Sequence, residues 1–186
     1  MVTIASSDLD PRMLRNAFGR FATGVVLVTT RSADGTQRGL TVNSFTSVSL
    51  DPPLVLFCVV TRSNGYAAWE NAEHFTINIL ASDQRQISNT FAKPSTAQWD
   101  RTKWRPGRNG CALIDSAVAS IECRRFAHHP GGDHLVILGE VTAVHLDDRM
   151  GPLLFHRGRY GAYWPSEHGE PPADSTLSDL VLAGFG

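Results

Sequence analysis

Gly131-Gly132-Asp133-His134 runs straight into Leu135-Val136-Ile137-Leu138-Gly139-Glu140-Val141. A glycine turn delivers an acid and a histidine to the mouth of a strongly apolar segment. On either side lie two long strand-like stretches, residues 111–126 and 134–146. Both read as long strands, broken by the glycine turn. A histidine at the end of such a strand sits on a rigid frame and can face a ligand instead of the core.

The rest of the chain supports a mainly β architecture. Asp10-Pro11 opens a helix, with an Asp cap and Pro at the first helical position, and Leu14, Ala17, Phe18 and Phe21 form an apolar face. Residues 25–30 are β-branched and read as a buried strand. Asp34-Gly35 signals a hairpin, with strands following over 39–44 and 45–50. Asp51-Pro52-Pro53 is expected to break any ladder before the strand at 54–60. Ser63 is expected to cap a short helix to about residue 72, and Ser82 another to about 91, with a strand at 75–80 between them. Residues 93–110 read as a long polar loop carrying Trp99, Trp104 and Pro106, the kind of segment that often forms a lid or partner surface. A last strand covers 153–164. About seven strands, three short helices and no regular β–α alternation favour an antiparallel barrel or sandwich over a doubly wound sheet.

Composition narrows the function. The 186 residues suit one domain, taken as 1–164, followed by a polar, proline-rich tail at 165–186. A net charge of -1 provides no global field for nucleic acid or an anionic membrane. No apolar run approaches the ~20 residues of a membrane helix. The N-terminal residues lack the pattern of a signal peptide. Cys58, Cys111 and Cys123 are odd in number and widely spaced, as in a reduced, cytoplasmic protein.

Four stretches carry candidate chemistry. Residues 41–49, Thr-Val-Asn-Ser-Phe-Thr-Ser-Val-Ser, pack five hydroxyls and an amide between two apolar strands. They suit either a planar heteroaromatic ring or an edge strand facing water. Arg62-Ser63-Asn64-Gly65 opens a helix and fits a phosphate site or a plain cap. His128-His129-Pro130-Gly131-Gly132-Asp133-His134 admits a metal site, a solvated turn or a ligand-facing His134. Its glycines and proline forbid the helical spacing of the common zinc motif. His156-Arg157-Gly158-Arg159-Tyr160-Gly161 offers an aromatic face and close backbone approach, or a surface strand with a bulge at glycine. Neither G-x-G-x-x-G nor the phosphate-loop motif occurs, and no G-x-S-x-G elbow supports a nucleophilic serine.

Taken in order, these stretches resemble the short-chain flavin reductase family, the reductase halves of two-component flavin monooxygenases. The likeness spans about residues 10–164. It rests on Phe21-Ala22-Thr23-Gly24-Val25 with Val28-Thr29-Thr30, on the block from Thr41 to Leu54, on Gly132-Asp133-His134 with Gly139-Glu140-Val141, and on residues 152–161. The resemblance implies an FMN-binding split barrel: six antiparallel strands in a Greek key with peripheral helices, working as a homodimer. It implies that Asn43, Ser44 and Ser47 line the isoalloxazine, within a cofactor-binding set that also holds Thr30, Thr41 and Asp133. Arg62, Ser63 and Asn64 would hold the ribityl-phosphate side, and Phe91 would border the flavin. His134 and Tyr160 would meet the nicotinamide nucleotide, with His134 as the one catalytic group and no metal. FMN or FAD would bind exchangeably, NADH or NADPH would give the hydride, and reduced flavin would diffuse to a partner monooxygenase. Two departures stand out: Asn64-Gly65 replaces the second hydroxyl usual after the arginine, and the tail after Pro165 has no counterpart. A split-barrel flavin oxidase, a non-catalytic flavin-binding module and a metal-dependent hydrolase are the competing readings.

Overall fold

A computed structural model describes residues 9–63, 65–93, 96–147 and 149–163, with Thr3 and Ala5. Asn64 and the tail from 165 lie outside the described residues. The frame is a seven-stranded antiparallel sheet made of β2 (Val26–Arg31), β3 (Gln37–Val42), β4 (Thr46–Leu50), β5 (Pro53–Val60), β6 (His74–Ile79), β9 (Ala119–Gly131) and β10 (His134–Leu146). Its order is β3-β2-β6-β9-β10-β5-β4. The step from β5 to β6 skips β10 and β9, which is the Greek-key crossing. The two edge strands, β3 and β4, are consecutive in the chain and separated only by residues 43–45. The sheet must therefore curl until its edges meet at that junction, while β3 and β4 share no ladder beyond it. That is a split barrel, antiparallel as expected, and β4 brings the sheet to seven strands.

The continuous apolar run of β2 has a simple cause: the strand is buried on both faces. Val26 and Val28 point into a cluster with Phe57, Phe75, Ile77, Leu135 and Ile137 inside the barrel. Val25 and Leu27 face a second cluster with Leu80, Phe91, Ile114 and Leu153. That cluster lies beneath a small sheet of β1 (Thr23–Gly24), β11 (Leu153–His156) and β12 (Arg159–Ala162). The β9–β10 hairpin turns at Gly132, whose φ of 71° lies in the left-handed region that glycine adopts without strain.

Several local expectations change. Helix α1 (Pro11–Phe18) starts as read, with the Asp10 carboxylate accepting from the Arg12 and Met13 amides at 2.7 and 2.8 Å. Its apolar face, however, finds no core: Phe18 is 71% and Phe21 76% exposed. The prolines at 52 and 53 do not break the ladder, since they form the turn and Pro53 pairs with Leu50. Ser63 is not the cap of α2 (Tyr66–Glu70), because the helix begins two residues later, from Gly65. Nor does Ser82 cap α3 (Arg85–Phe91); its amide donates to the Gly151 carbonyl instead. Residues 93–110 are not all loop. They hold a 3-10 helix at Thr96–Arg101 and the strand β7 (Trp104–Pro106), which pairs with β8 (Ala112–Ile114). Residues 111–126 are broken between β8 and β9 because Ser116 turns with φ 59° and buried Asn78 fills the bend, accepting from the Ile114 amide and the Ser120 hydroxyl. Within the expected last strand, residues 153–162 form a hairpin, not one strand with a bulge, turning at Arg157-Gly158 with both φ values positive. No helix among the described residues is long and apolar enough to cross a membrane.

Candidate functional site

The split in the barrel opens into a cleft of about 740 Å³. One wall is β3 along its whole length, continuing into Asn43 and Ser44. The other walls come from Cys58 and Val60 of β5, Ser63, Trp69 of α2, His134 of β10, and the segment that follows α3. Sheet curvature thus gathers residues nearly a hundred positions apart around one opening.

Of the residues expected at a site, Thr41, Asn43, Ser44, Ser63, Phe91 and His134 line this cleft. Some of their polar groups are already engaged. The Thr41 hydroxyl donates to the Ser88 carbonyl at 2.9 Å and ties α3 to β3. Ser44 Oγ accepts from the Cys58 amide at 2.9 Å and closes the barrel junction. Phe91 is 2% exposed and forms a back wall.

The remaining expected residues are placed elsewhere. Thr30 is fully buried, with its hydroxyl donating to the His74 carbonyl at 2.7 Å, because β2 is a central strand. Ser47 is exposed on β4, beyond the junction, whereas the cleft follows β3. Arg62 is exposed and outside the lining. Tyr160 is held against α3, sharing a 2.9 Å hydrogen bond with Ser88 Oγ and donating to Asn89 Oδ1 at 3.0 Å. The Arg85 guanidinium lies 5.2 Å from its ring centroid. Tyr160 therefore braces a neighbouring surface and does not line the cleft.

Asp133 also stands outside the lining, but it acts on His134. His134 Nδ1 lies 2.6 Å from Asp133 Oδ1. The hydrogen bond from His134, its charge and the nearby Arg62 guanidinium hold the Asp133 carboxyl below its ordinary range. An ionised carboxylate only accepts, so Nδ1 carries the proton and Nε2 is the ring's remaining hydrogen-bonding atom. The backbone locks the turn in place, with the Thr61 amide donating to the Asp133 carbonyl at 3.0 Å. Among the described residues no cluster of three or more metal-ligating side chains converges, at this turn or elsewhere.

Sequence reading missed Gln37, Arg38, Trp69, Lys93 and Trp99. Trp99 had a signal, standing in the long 93–110 segment flagged as a lid or partner surface. Its ring packs edge-on against Phe91 at 4.8 Å and against Trp104 at 5.6 Å. Gln98 fastens this segment to the end of α3, donating to the Thr90 carbonyl at 3.0 Å and to that of Lys93. Gln37, Arg38 and Trp69 sit in unremarkable sequence and become visible only when the sheet curls.

The cleft has the chemistry of a site for a planar, anionic, polar-edged molecule. Its described lining residues include Arg38, Lys93 and His134 and no acid. Ser63 Oγ and Gln37 Oε1 are buried and have no hydrogen-bond partner among the described residues. Buried polar atoms are ordinarily paired, so each is free to meet a polar group of a bound molecule or a water. The walls of Trp69, Phe91 and Trp99 are aromatic. A flavin nucleotide, with its planar ring, hydroxylated chain and phosphate, fits this donor set.

Comparison with known proteins agrees. The flavin reductase like domain matches residues 18–163. The chain is 43% identical over 153 residues to FMN reductase (NADH) SmoA of Agrobacterium fabrum, covering 82% of this chain and 86% of that one. It is 42% identical over 175 residues to the reductase component of the flavin-dependent trigonelline monooxygenase of Acinetobacter baylyi, covering 94% of this chain and 55% of the relative. The chain spans about half the length of some of the curated relatives it matches. Among solved structures, the NADH:FAD oxidoreductase SgcE6 of Streptomyces globisporus, in complex with NAD and FAD fragments, superimposes with a TM-score of 0.80 at 37% identity, over 86% of this chain and 98% of that one. The curled antiparallel sheet, the cleft at its split and this agreement over residues 18–163 together make the chain a member of the flavin reductase like domain family.

Proposed function

We propose that this chain is an NAD(P)H-dependent flavin reductase that takes up FMN or FAD exchangeably and hands the reduced flavin to a separate monooxygenase. The observation that carries the reading is the cleft whose described lining holds no acid and in which Asn43, Ser44, His134 and Ser63, whose Oγ has no partner among the described residues, stand together. When both cofactors are bound, hydride passes from the nicotinamide to the flavin by the cofactors' own chemistry. The protein supplies placement. Asn43 and the neighbouring backbone meet the polar edge of the flavin, and Ser63 offers it a hydroxyl. Trp69 and Phe91 exclude water from its faces. His134, aligned by Asp133, positions the nicotinamide nucleotide at the mouth. Stacking two rings at reacting distance requires no general base.

The hydroxyls and amides of the cleft suit weak, reversible binding, as does a flavin that must leave. The chain works as a homodimer in this reading, and the exposed Phe18 and Phe21, at and just after the end of α1, are the apolar surface it would cover. Three free thiols fit a cytoplasmic setting. Steady-state NADH and NADPH consumption with FMN and FAD tests the reading. Rapid turnover with free flavin supports it; a yellow protein indifferent to both nicotinamides would make the chain a binding module.

A further inference from the structure

Glu122 is a buried carboxylate outside the cleft lining, yet its hydrogen bonds lead there. It sits on β9 beside Cys123, which packs in the barrel interior, so by strand alternation Glu122 faces the other way. On that face the connection between β7 and β8, residues 107–111, passes over β9, β6, β2 and β3, which are neighbours in that order. Each strand fastens it. On β9, Glu122 Oε2 accepts from the Asn109 amide at 2.8 Å, and His145 Nε2 lies 2.7 Å from Oε1. At β6, Asn109 Nδ2 donates to the Phe75 carbonyl at 3.1 Å. At β2, the Thr29 hydroxyl donates to the carbonyl of Ala112, just after the turn, at 2.6 Å. At β3, Gln37 Nε2 donates to the Gly110 carbonyl at 2.8 Å. Three strand spacings, about 14 Å, separate the first anchor from the last.

The turn is closed on itself and transmits position. The Gly110 amide donates to the Gly107 carbonyl at 3.1 Å, and the Gly107 amide to that of Cys111 at 2.8 Å. A β-carbon at Gly107 would lie 2.9 Å from Glu122 Oε2, so glycine lets the carboxylate come up against the turn. At the far end Gln37 opens β3, which is the edge of its sheet and has β2 as its one ladder partner there. Gln37 shares a face of β3 with Gly39 and Thr41, which meet Phe91 and Ser88 of α3, and it lines the cleft. With Nε2 committed to Gly110, its Oε1 is a buried acceptor without a partner among the described residues.

Resting on the reductase reading, we propose that Glu122 is a positioning residue for cofactor binding, acting through the 107–111 turn to hold Gln37 with its amide oxygen free to accept from the molecule in the cleft. The donor it meets is an N–H or O–H of a bound nucleotide. A carboxylate buried this deeply is costly unless it is paired and hydrogen-bonded. Here it is satisfied by His145 on one side and by the turn on the other, and the turn carries that fixed geometry across the sheet to its free edge.

Equilibrium titrations without turnover test this. FMN, FAD and NAD⁺ are bound in turn to the wild type, Glu122→Gln, Gln37→Ala and the double variant, with circular dichroism checking that each is folded. Gln37→Ala should weaken at least one of these ligands about three- to tenfold, the worth of one neutral hydrogen bond. Glu122→Gln should weaken the same ligand by a comparable factor. The double variant should bind it as Gln37→Ala does, because both changes remove one contact. A merely structural role for Glu122 would instead give losses that add. Additive losses, or wild-type affinities in either single variant, would overturn the proposal. If Glu122→Gln does not fold, Gly107→Ala takes its place, since the added methyl crowds the same carboxylate oxygen. Coupled losses in a protein that never oxidises NADH would uphold the role of Glu122 and sink the reductase reading; additive losses in an active reductase would do the reverse.

Discussion

The ring of Phe91 fills the space a side chain at Gly39 would need: a β-carbon there would lie 2.5 Å from Phe91 Cδ1. This contact joins the two walls of the cleft, one from β3 and one from the end of α3. The missing side chain thus positions Phe91, and through it Trp99. Gly39→Ala is expected to destabilise the fold by about 1–3 kcal/mol, as over-packing of a filled site does, and to weaken flavin binding. Urea unfolding and a flavin titration check both. A variant as stable as the parent, with unchanged affinity, would show that the contact yields freely.

His134→Ala should raise the KM for NADH roughly tenfold, the loss of one good hydrogen bond, with little change in flavin affinity. Asp133→Asn should do the same more weakly, because it loosens the ring without removing it. Steady-state kinetics paired with flavin titration separates the two effects. Unchanged NADH kinetics in His134→Ala would remove that residue from the nicotinamide side.

Glu122 is a buried carboxylate whose oxygens accept from His145 Nε2 at 2.7 Å and the Asn109 amide at 2.8 Å. Burial pushes its pKa up, but hydrogen bonds from His145 and the Asn109 and Arg108 amides outweigh that and leave it below the ordinary glutamate value. A folded-state pKa below the unfolded one stabilises the protein above the unfolded value, and this contribution fades as pH falls through the folded value. Glu122→Gln should therefore cost about 2 kcal/mol at neutral pH, with the gap to wild type closing only below the ordinary glutamate range. Urea midpoints across an acid series would show this. A gap that stays constant with pH would mean that the charge contributes nothing.

Phe18→Ser with Phe21→Ser should convert a dimer to a folded monomer, since neither side chain supports the core of its own subunit. Sedimentation read alongside circular dichroism distinguishes dissociation from unfolding. Retention of the dimer would place the interface elsewhere.

Much of this was legible in the sequence because the signals were local. The Asp10 cap, the Asp34-Gly35 turn and the apolar runs of β2, β5 and β10 each depend on a few adjacent residues. So did the polar block at 41–49, whose first residues Thr41 to Ser44 the fold brings to one cleft with His134 of the glycine turn. Three kinds of feature were not legible. Ser63 and Ser82 looked like helix caps, but a serine amide or hydroxyl is easily drawn to a non-helical partner. Thr30 and Ser47 belong to stretches resembling the family, yet strand alternation and the curl of the sheet carry them away from the opening. Arg38, Lys93 and Trp99 reach the lining of one cleft only because β3 is an edge strand facing the end of α3, a long-range relationship that no local pattern encodes.

Anaerobic mixing of the protein with NADH and FAD, followed optically, tests the central claim most directly. One equivalent of FAD or FMN should be reduced for each NADH consumed, catalytically and from free flavin. FAD that stays oxidised while NADH persists, in a protein that still binds the flavin, would contradict the assignment of this cleft to flavin reduction.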